Sequence, residues 1–295
     1  AFATQNNPIR QDLMNASLEE LMNVKISTVF RKPQTLQETA AAVFVISQED
    51  IRRSSANSIP ELLRMAPGLS VARIDSNKWS VTSRGYSGRF ADDLLVMIDG
   101  RTVYSPLFAG TFWETLDLPL EDIDRIEVIR GPGGTIWGAN AVNGAINIIT
   151  KHTKATQGNL ITTGGGSEER GFATFRHGGR VGENLFYRFY AKGFTRDNSF
   201  SASGTNDSWR MGTLGFRADW DINTNNAVTF QAQYYAGKAG QNTMLLNSTE
   251  PESVIMRPED ANLAGGHALM RWQRTTGERS NTALQVYYDR TSRNE

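Results

Sequence analysis

The chain of 295 residues has no cysteine, which excludes disulfide scaffolds and thiolate metal sites. It has no charge excess either, since 31 Lys+Arg stand against 31 Asp+Glu. A dedicated nucleic-acid binder carries a basic surplus to compete for phosphates, so no nucleic-acid partner is expected. Nowhere does the sequence hold an unbroken apolar run of the ~18 residues that a transmembrane helix needs. A β-barrel wall escapes that exclusion, because each of its strands is short and only half apolar.

Proline and glycine are scarce in opposite parts of the chain. Seven of the nine prolines lie at or before Pro132 and none falls between residues 133 and 250. Only five of the 27 glycines precede residue 131. Proline removes a ladder donor, so the proline-free stretch suits regular strand pairing. The change of texture divides the chain near residue 154, in keeping with the two domains its length suggests.

The first part reads as α+β. Residues 43–46 (VFVI) form a short apolar run, and Ser47 with Asp50 has the spacing of a helix capping box. A second box, Ser58 to Glu61, opens a helix whose Ile59, Leu62, Leu63 and Ala66 share one face, stopped by Pro67-Gly68. Strands are expected at 69–73, 79–84, 94–98, 125–130 and 145–150, with turns at Asp99-Gly100, Gly131-Pro132-Gly133-Gly134 and Asn143-Gly144.

The second part alternates with period 2. Leu185, Tyr187, Phe189 and Ala191 face one way, and Phe186, Arg188, Tyr190 and Lys192 the other. Leu214, Phe216, Ala218 and Trp220 likewise oppose Thr213, Gly215, Arg217 and Asp219. With 158–166, 171–178, 228–234, 268–273 and 284–288 this makes about seven strands of an antiparallel sheet with one wettable face. A soluble sandwich would bury the apolar face, whereas a membrane barrel would turn it to lipid and the polar face inward. Bacterial barrels have even strand numbers and tolerate no open edge in hydrocarbon. Seven strands therefore imply either a soluble sheet or a wall that continues beyond the sequence given.

Five blocks then occur in a characteristic order. They are Ala42 to Ile51 (AVFVISQEDI); Ile59 to Leu69 (IPELLRMAPGL); Ser83-Arg84-Gly85; Leu95 to Gly100 (LVMIDG); and Ile126 to Pro132 (IEVIRGP), followed by Trp137 to Ala141 (WGANA) and Gly144 to Thr150 (GAINIIT). Together they resemble the TonB-dependent outer-membrane receptors. The resemblance implies an α+β plug domain over residues 24–154, preceded by a periplasmic segment at 1–23. It also implies that 155–295 are the first strands of an incomplete transmembrane antiparallel β-barrel, which would have about 22 strands when complete. Ala1-Phe2-Ala3 has the small-x-small pattern of a signal-peptidase site.

By the same resemblance the protein is no enzyme and carries no cofactor. It would import a scarce ligand across the outer membrane, with a ferric siderophore as the leading cargo and haem or cobalamin as rivals. The periplasmic TonB complex would supply the pull, and outer-membrane lipid would surround the wall. A ligand-sensing receptor or adhesin without import is the alternative, and a soluble enzyme or carbohydrate-binding sandwich is a third. The TonB-contacting segment would fall at residues 23–27, with Val24, Lys25, Ile26 and Ser27 pairing by β-augmentation, although Asn23 and Lys25 depart from the usual pattern. A plug edge strand is the other reading of that segment. Arg84, Glu127 and Arg130 are the candidates for plug–barrel ion pairs.

Ligand contact is expected from two plug loops, at Asp75, Asn77, Lys78 and Trp79 in one and at Tyr104 and Phe108 in the other, because aromatic platforms with a few polar groups suit a bound chelate or ring. Phe112 and Trp113 extend that surface or belong to the plug core. Barrel loops at 197–208 and 238–262 would cover the ligand. His152, His177 and His267 lack metal-ligand spacing, so no metal site is assigned. The glycines at 131–134 lack the Lys-Ser/Thr that would make them a phosphate loop and read as a turn. The adjacent acid pairs Asp92-Asp93, Glu121-Asp122 and Glu168-Glu169 read as solvated loop charges.

Overall fold

The computed structural model describes residues 25–26, 34–35, 42–84, 88–90, 93–105, 108–131, 133–138, 140–199, 205–246, 254–277 and 280–295. The described chain falls into two units. The first comprises residues up to Ala72, Trp79–Leu116 and Leu120–Thr150; the second comprises Arg73–Lys78, Asp117–Pro119 and Lys151–Glu295.

In the first unit, β1 (Lys25–Ile26) pairs antiparallel with β2 (Gln34–Thr35). The core is a five-stranded sheet built from β3 (Ala42–Ser47), β6 (Leu94–Ile98), β7 (Arg101–Thr102), β8 (Ile123–Arg130) and β9 (Gly144–Thr150), in the order β3-β8-β9-β6-β7. Only the β6–β9 pair is parallel. Leu94 to Ile98 are buried along their whole length, as expected for a central strand covered on both faces. The capping box forms: Asp50 N–H donates to Ser47 Oγ at 3.2 Å, and Ser47 N–H donates to Asp50 Oδ2 at 2.8 Å, which opens α1 (Gln48–Arg53). Such a cap is worth about 1 kcal/mol.

The second box does not form. Ser58 makes no side-chain cap at α2 (Ile59–Leu63). Glu61 instead accepts from Trp79 Nε1 at 3.2 Å and pairs with Arg64 at 2.9 Å, so its carboxylate is drawn away from the helix start. β4 (Leu69–Arg73) and β5 (Trp79–Ser83) form a separate two-stranded sheet. The Asp99-Gly100 turn joins β6 to β7 with positive φ at both residues (50° and 76°), the form that a two-residue hairpin favours. At Gly144 (φ 157°) a Cβ would lie 2.4 Å from the Ile129 carbonyl oxygen, so only glycine fits where β9 begins.

The second unit is a seven-stranded antiparallel meander: β10 (Gly158–Gly164), β11 (Glu169–Val181), β12 (Leu185–Arg196), β13 (Trp209–Asn223), β14 (Asn226–Leu246), β15 (Val254–Gly277) and β16 (Ser280–Asn294). Its exposure pattern inverts that of a soluble sheet. Leu214 is 58% exposed beside Thr213 at 2%, and Phe189 and Phe216, register partners, are likewise exposed. Arg188 and Asp219, from the opposite face, are buried. An apolar outer face and a polar enclosed one are what a wall in lipid requires.

The strands outrun their sequence signal. β14 and β15 hold 21 and 24 residues, about twice what a tilted crossing of the bilayer needs. Of the expected cover loop at 238–262, residues 238–246 and 254–262 are ladder, with Gly240 opposite Asp260 and Asn242 opposite Pro258. A strand that projects past the bilayer meets water on both faces, so it loses the alternation by which strands are recognised.

Candidate functional site

Phe108 is the most exposed of the expected ligand residues, at 48%. Its ring stacks on Phe90 (centroids 5.4 Å apart, planes 15° apart) and meets Phe112 edge-on at 5.5 Å. Phe90 and Phe112 also meet edge-on, at 5.1 Å. The Arg89 guanidinium lies 5.1 Å from the Phe90 ring centre and is fixed by a 2.8 Å ion pair to the buried Glu114. The loop that carries Phe108 is closed by reciprocal backbone hydrogen bonds between Ser105 and Gly110. A Cβ at Gly110 would come within 2.8 Å of Phe90, so that glycine admits the cluster. Tyr104 is half-buried on the same loop. Phe112 and Trp113 are buried, which gives them to the core. The result is one exposed ring, Phe108, backed by a stacked Phe90 and an edge-on Phe112 with the Arg89 cation over them, an arrangement suited to a ring-bearing ligand.

The other expected loop is held from within. Asn77 N–H donates to Asp75 Oδ1 at 3.0 Å, and Lys78 Nζ donates to Asp75 Oδ2 at 2.7 Å and to Asn77 Oδ1 at 2.9 Å. Asn77 Nδ2 donates to the carbonyl oxygens of Asp207 and Gly240, both at 2.9 Å. Ser76 N–H donates to Asp207 Oδ2 at 2.8 Å, and Arg73 pairs with Glu168. Asn77 is fully buried and Lys78 nearly so, at 8% exposed, while Asp75 keeps partial access. Trp79, 2% exposed, belongs to the first unit and donates to Glu61. Burial works to raise the Asp207 carboxyl, but hydrogen bonds from Ser199 and Ser76 outweigh it and hold the group below its ordinary value.

Two further anchorages lie in the second unit. Lys192 pairs with Asp117 and donates to the Leu118 carbonyl at 3.2 Å. Thr153 N–H donates to Asp219 Oδ2 at 2.9 Å, and Arg188 donates to the Lys151 carbonyl. His152 is pushed below the usual histidine range, first by burial, against the pull of Asp219. Its Nδ1 accepts from Lys154 N–H at 3.2 Å. The sequence had placed Arg188, Lys192 and Asp219 on the polar side of the sheet, and that side was the one available signal for these anchorages. Asp117 and Thr153 carried none.

The candidates for plug–barrel ion pairs are dispersed. Arg84 is exposed with φ 57° at the end of β5. Glu127 is fully buried and paired with Arg125 at 2.8 Å. Arg130 ends β8 opposite Ala42, its stem close to Gly68. Of the expected TonB-contacting residues, Lys25 and Ile26 form β1, while Val24 and Ser27 lie outside the described residues, as does the Ala1-Phe2-Ala3 pattern.

Comparison with known proteins matches residues 35–145 to the TonB-dependent receptor plug domain. The vitamin B12 transporter BtuB of Vibrio vulnificus is 32% identical over 177 residues, covering 59% of this chain and 28% of that protein. The ferric enterobactin receptor of Pseudomonas aeruginosa is 29% identical over 215 residues, covering 66% of this chain and 26% of that one. Among solved structures, the siderophore receptor PiuA of Acinetobacter baumannii superposes with a TM-score of 0.68 at 17% identity, over 94% of this chain and 40% of that one. The chain thus spans under a third of the length of these curated relatives.

Proposed function

Because the chain belongs to the TonB-dependent receptors of the outer membrane, as a plug domain followed by the opening strands of the barrel, we propose that it serves the energised import of a scarce metal chelate, a ferric siderophore or a cobalamin. The observation that carries this reading is the pairing of a plug fold with a sheet whose apolar side is exposed and whose charged side is enclosed. No reaction is assigned to the chain, in keeping with a family of transporters and receptors.

On this reading Phe108, backed by Phe90 and Phe112, receives the ligand's flat surface, and Arg89 faces its negative charge. Tyr104 lies beside the platform. Asp75 and Lys78 contribute from the rim of their loop, while Asn77 holds that loop in place; Trp79 is buried in the first unit. Arg84 and Arg130 meet inward-facing wall charges, whereas Glu127 pairs with Arg125 inside the first unit. The segment at 23–27 is handed to TonB by strand addition, for which the β1–β2 pair must open.

The test is uptake by whole cells of labelled ferric siderophores, haem and cyanocobalamin, with and without TonB. Saturable uptake of one class that vanishes without TonB supports the proposal. Binding without any TonB-dependent uptake would favour a sensing receptor instead.

A further inference from the structure

Four positions with no side chain larger than a methyl stand in a row across neighbouring strands. Ala173, Gly193, Gly212 and Ala236 are successive register partners on β11 to β14. By alternation they share the outer face with Phe189, Leu214 and Tyr234, and they floor an open groove of about 1010 Å³. Glycine inside a strand is destabilising, so each one needs a reason. At Gly215 and Gly237 packing supplies it, since a Cβ would come within 2.1 Å of Tyr190 and 2.3 Å of the Arg210 carbonyl oxygen. At Gly193 and Gly212 the nearest atoms would be 3.7 and 3.9 Å away, which is ordinary contact. A side chain would fit at both places, and its absence makes the depression.

The groove's two rims differ. Toward the short turns it is bordered by Leu214 and Tyr234, both more than half exposed. On the other side Arg210 and Lys238 stand directly opposite each other, with no acidic partner among the described residues. Like charges facing across an antiparallel ladder repel, so this pair costs stability unless an anion lies between them. The cationic side is the end of the sheet where the strands are joined by 165–168, 197–208 and 247–253; the opposite end has 182–184, 224–225 and 278–279. Outer-membrane barrels carry their longer loops outside, which sets the groove at the top of the apolar band in the outer leaflet.

We propose that this groove holds a lipid of the outer leaflet, its net-negative phosphate headgroup between Arg210 and Lys238 and an acyl chain along Ala173, Gly193, Gly212 and Ala236. A second copy of the chain fits poorly, because a two-fold contact would bring two such cation pairs together. The site lies on the outer wall, apart from the import path, so its failure would leave the proposed function untouched.

The experiment is native mass spectrometry of the full-length receptor in detergent with dimyristoyl phosphatidylglycerol or dimyristoyl phosphatidylcholine added. The receptor should retain the anionic lipid preferentially. The R210Q/K238Q double variant should lose that preference by about thirtyfold, the effect of two cations at an anionic lipid surface. Gly212→Leu should weaken retention of both lipids, and Arg274→Gln, the removal of one cation at the short-turn end, should leave the preference intact. Circular dichroism checks that each variant keeps its sheet. Equal retention of the two lipids by the unmodified receptor would overturn the proposal. So would an equal loss in Arg274→Gln, or a Gly212→Leu effect confined to the receptor's oligomeric state.

Discussion

Asn77 donates its side-chain amide to the Gly240 carbonyl oxygen at 2.9 Å, joining positions 163 residues apart in sequence. The same amide also serves Asp207. Asn77→Ala should leave both carbonyls without this donor and lower the thermal stability of the second unit by on the order of 2 kcal/mol. Asn77→Asp should cost more, because a carboxylate would face two carbonyl oxygens. Calorimetry on the two variants checks the order, and an Asp variant as stable as the native protein would contradict it.

Lys192 and Asp117 form a nearly buried ion pair. Removing one partner leaves an uncompensated charge, so Lys192→Met should destabilise by about 3–5 kcal/mol. Adding Asp117→Leu should recover most of that loss. A double-mutant cycle measures the coupling, and simple additivity of the two changes would show that the pair has no energetic reality.

His152 gives the region after β9 a pH dependence. Its neutral ring accepts from Lys154 N–H, and burial holds its pKa below 6.5. The unfolded chain then takes up a proton more readily than the folded one, so this contribution to stability is present above pH 6.5 and declines as the pH falls below that value. Hydrogen exchange in residues 152–156 should quicken between pH 7.5 and 5.5 beyond the intrinsic change of rate. His152→Asn, which can still cap the turn, should remove that excess.

Phe108 presents its ring with little structural burden. Phe108→Ala should leave the melting temperature almost unchanged and weaken ligand binding about tenfold, the scale of one aromatic contact. Phe90→Ala should harm both. Isothermal titration with the transported ligand separates the two cases, and unchanged affinity in Phe108→Ala would remove the platform from the ligand path.

Much of the wall was legible in advance, because the alternation of Leu214 and Phe216 with Thr213 and Gly215 reports a two-sided surface directly. The Ser47–Asp50 box and the Asp99-Gly100 turn were equally local, and both formed where expected. Long-range pairing was another matter. Nothing near Asn77 announces Gly240, and nothing near Asp117 announces Lys192. Trp79 sits next to a polar loop in sequence, yet the first unit encloses it, because exposure is decided by Glu61 and by the neighbouring strands. The outer reaches of β14 and β15 stayed hidden for a different reason: water on both sides of a strand leaves no hydrophobic period to read.

The central claim is that Leu214 and Phe216 face lipid while Thr213 and Arg217 face the interior of the wall. With no cysteine in the chain, single-cysteine variants at these positions can each carry one environment-sensitive fluorophore in liposomes. Lipids brominated on their acyl chains should quench the probe at positions 214 and 216 and spare it at 213 and 217. Equal quenching at all four positions, or quenching on the polar side alone, would contradict the account.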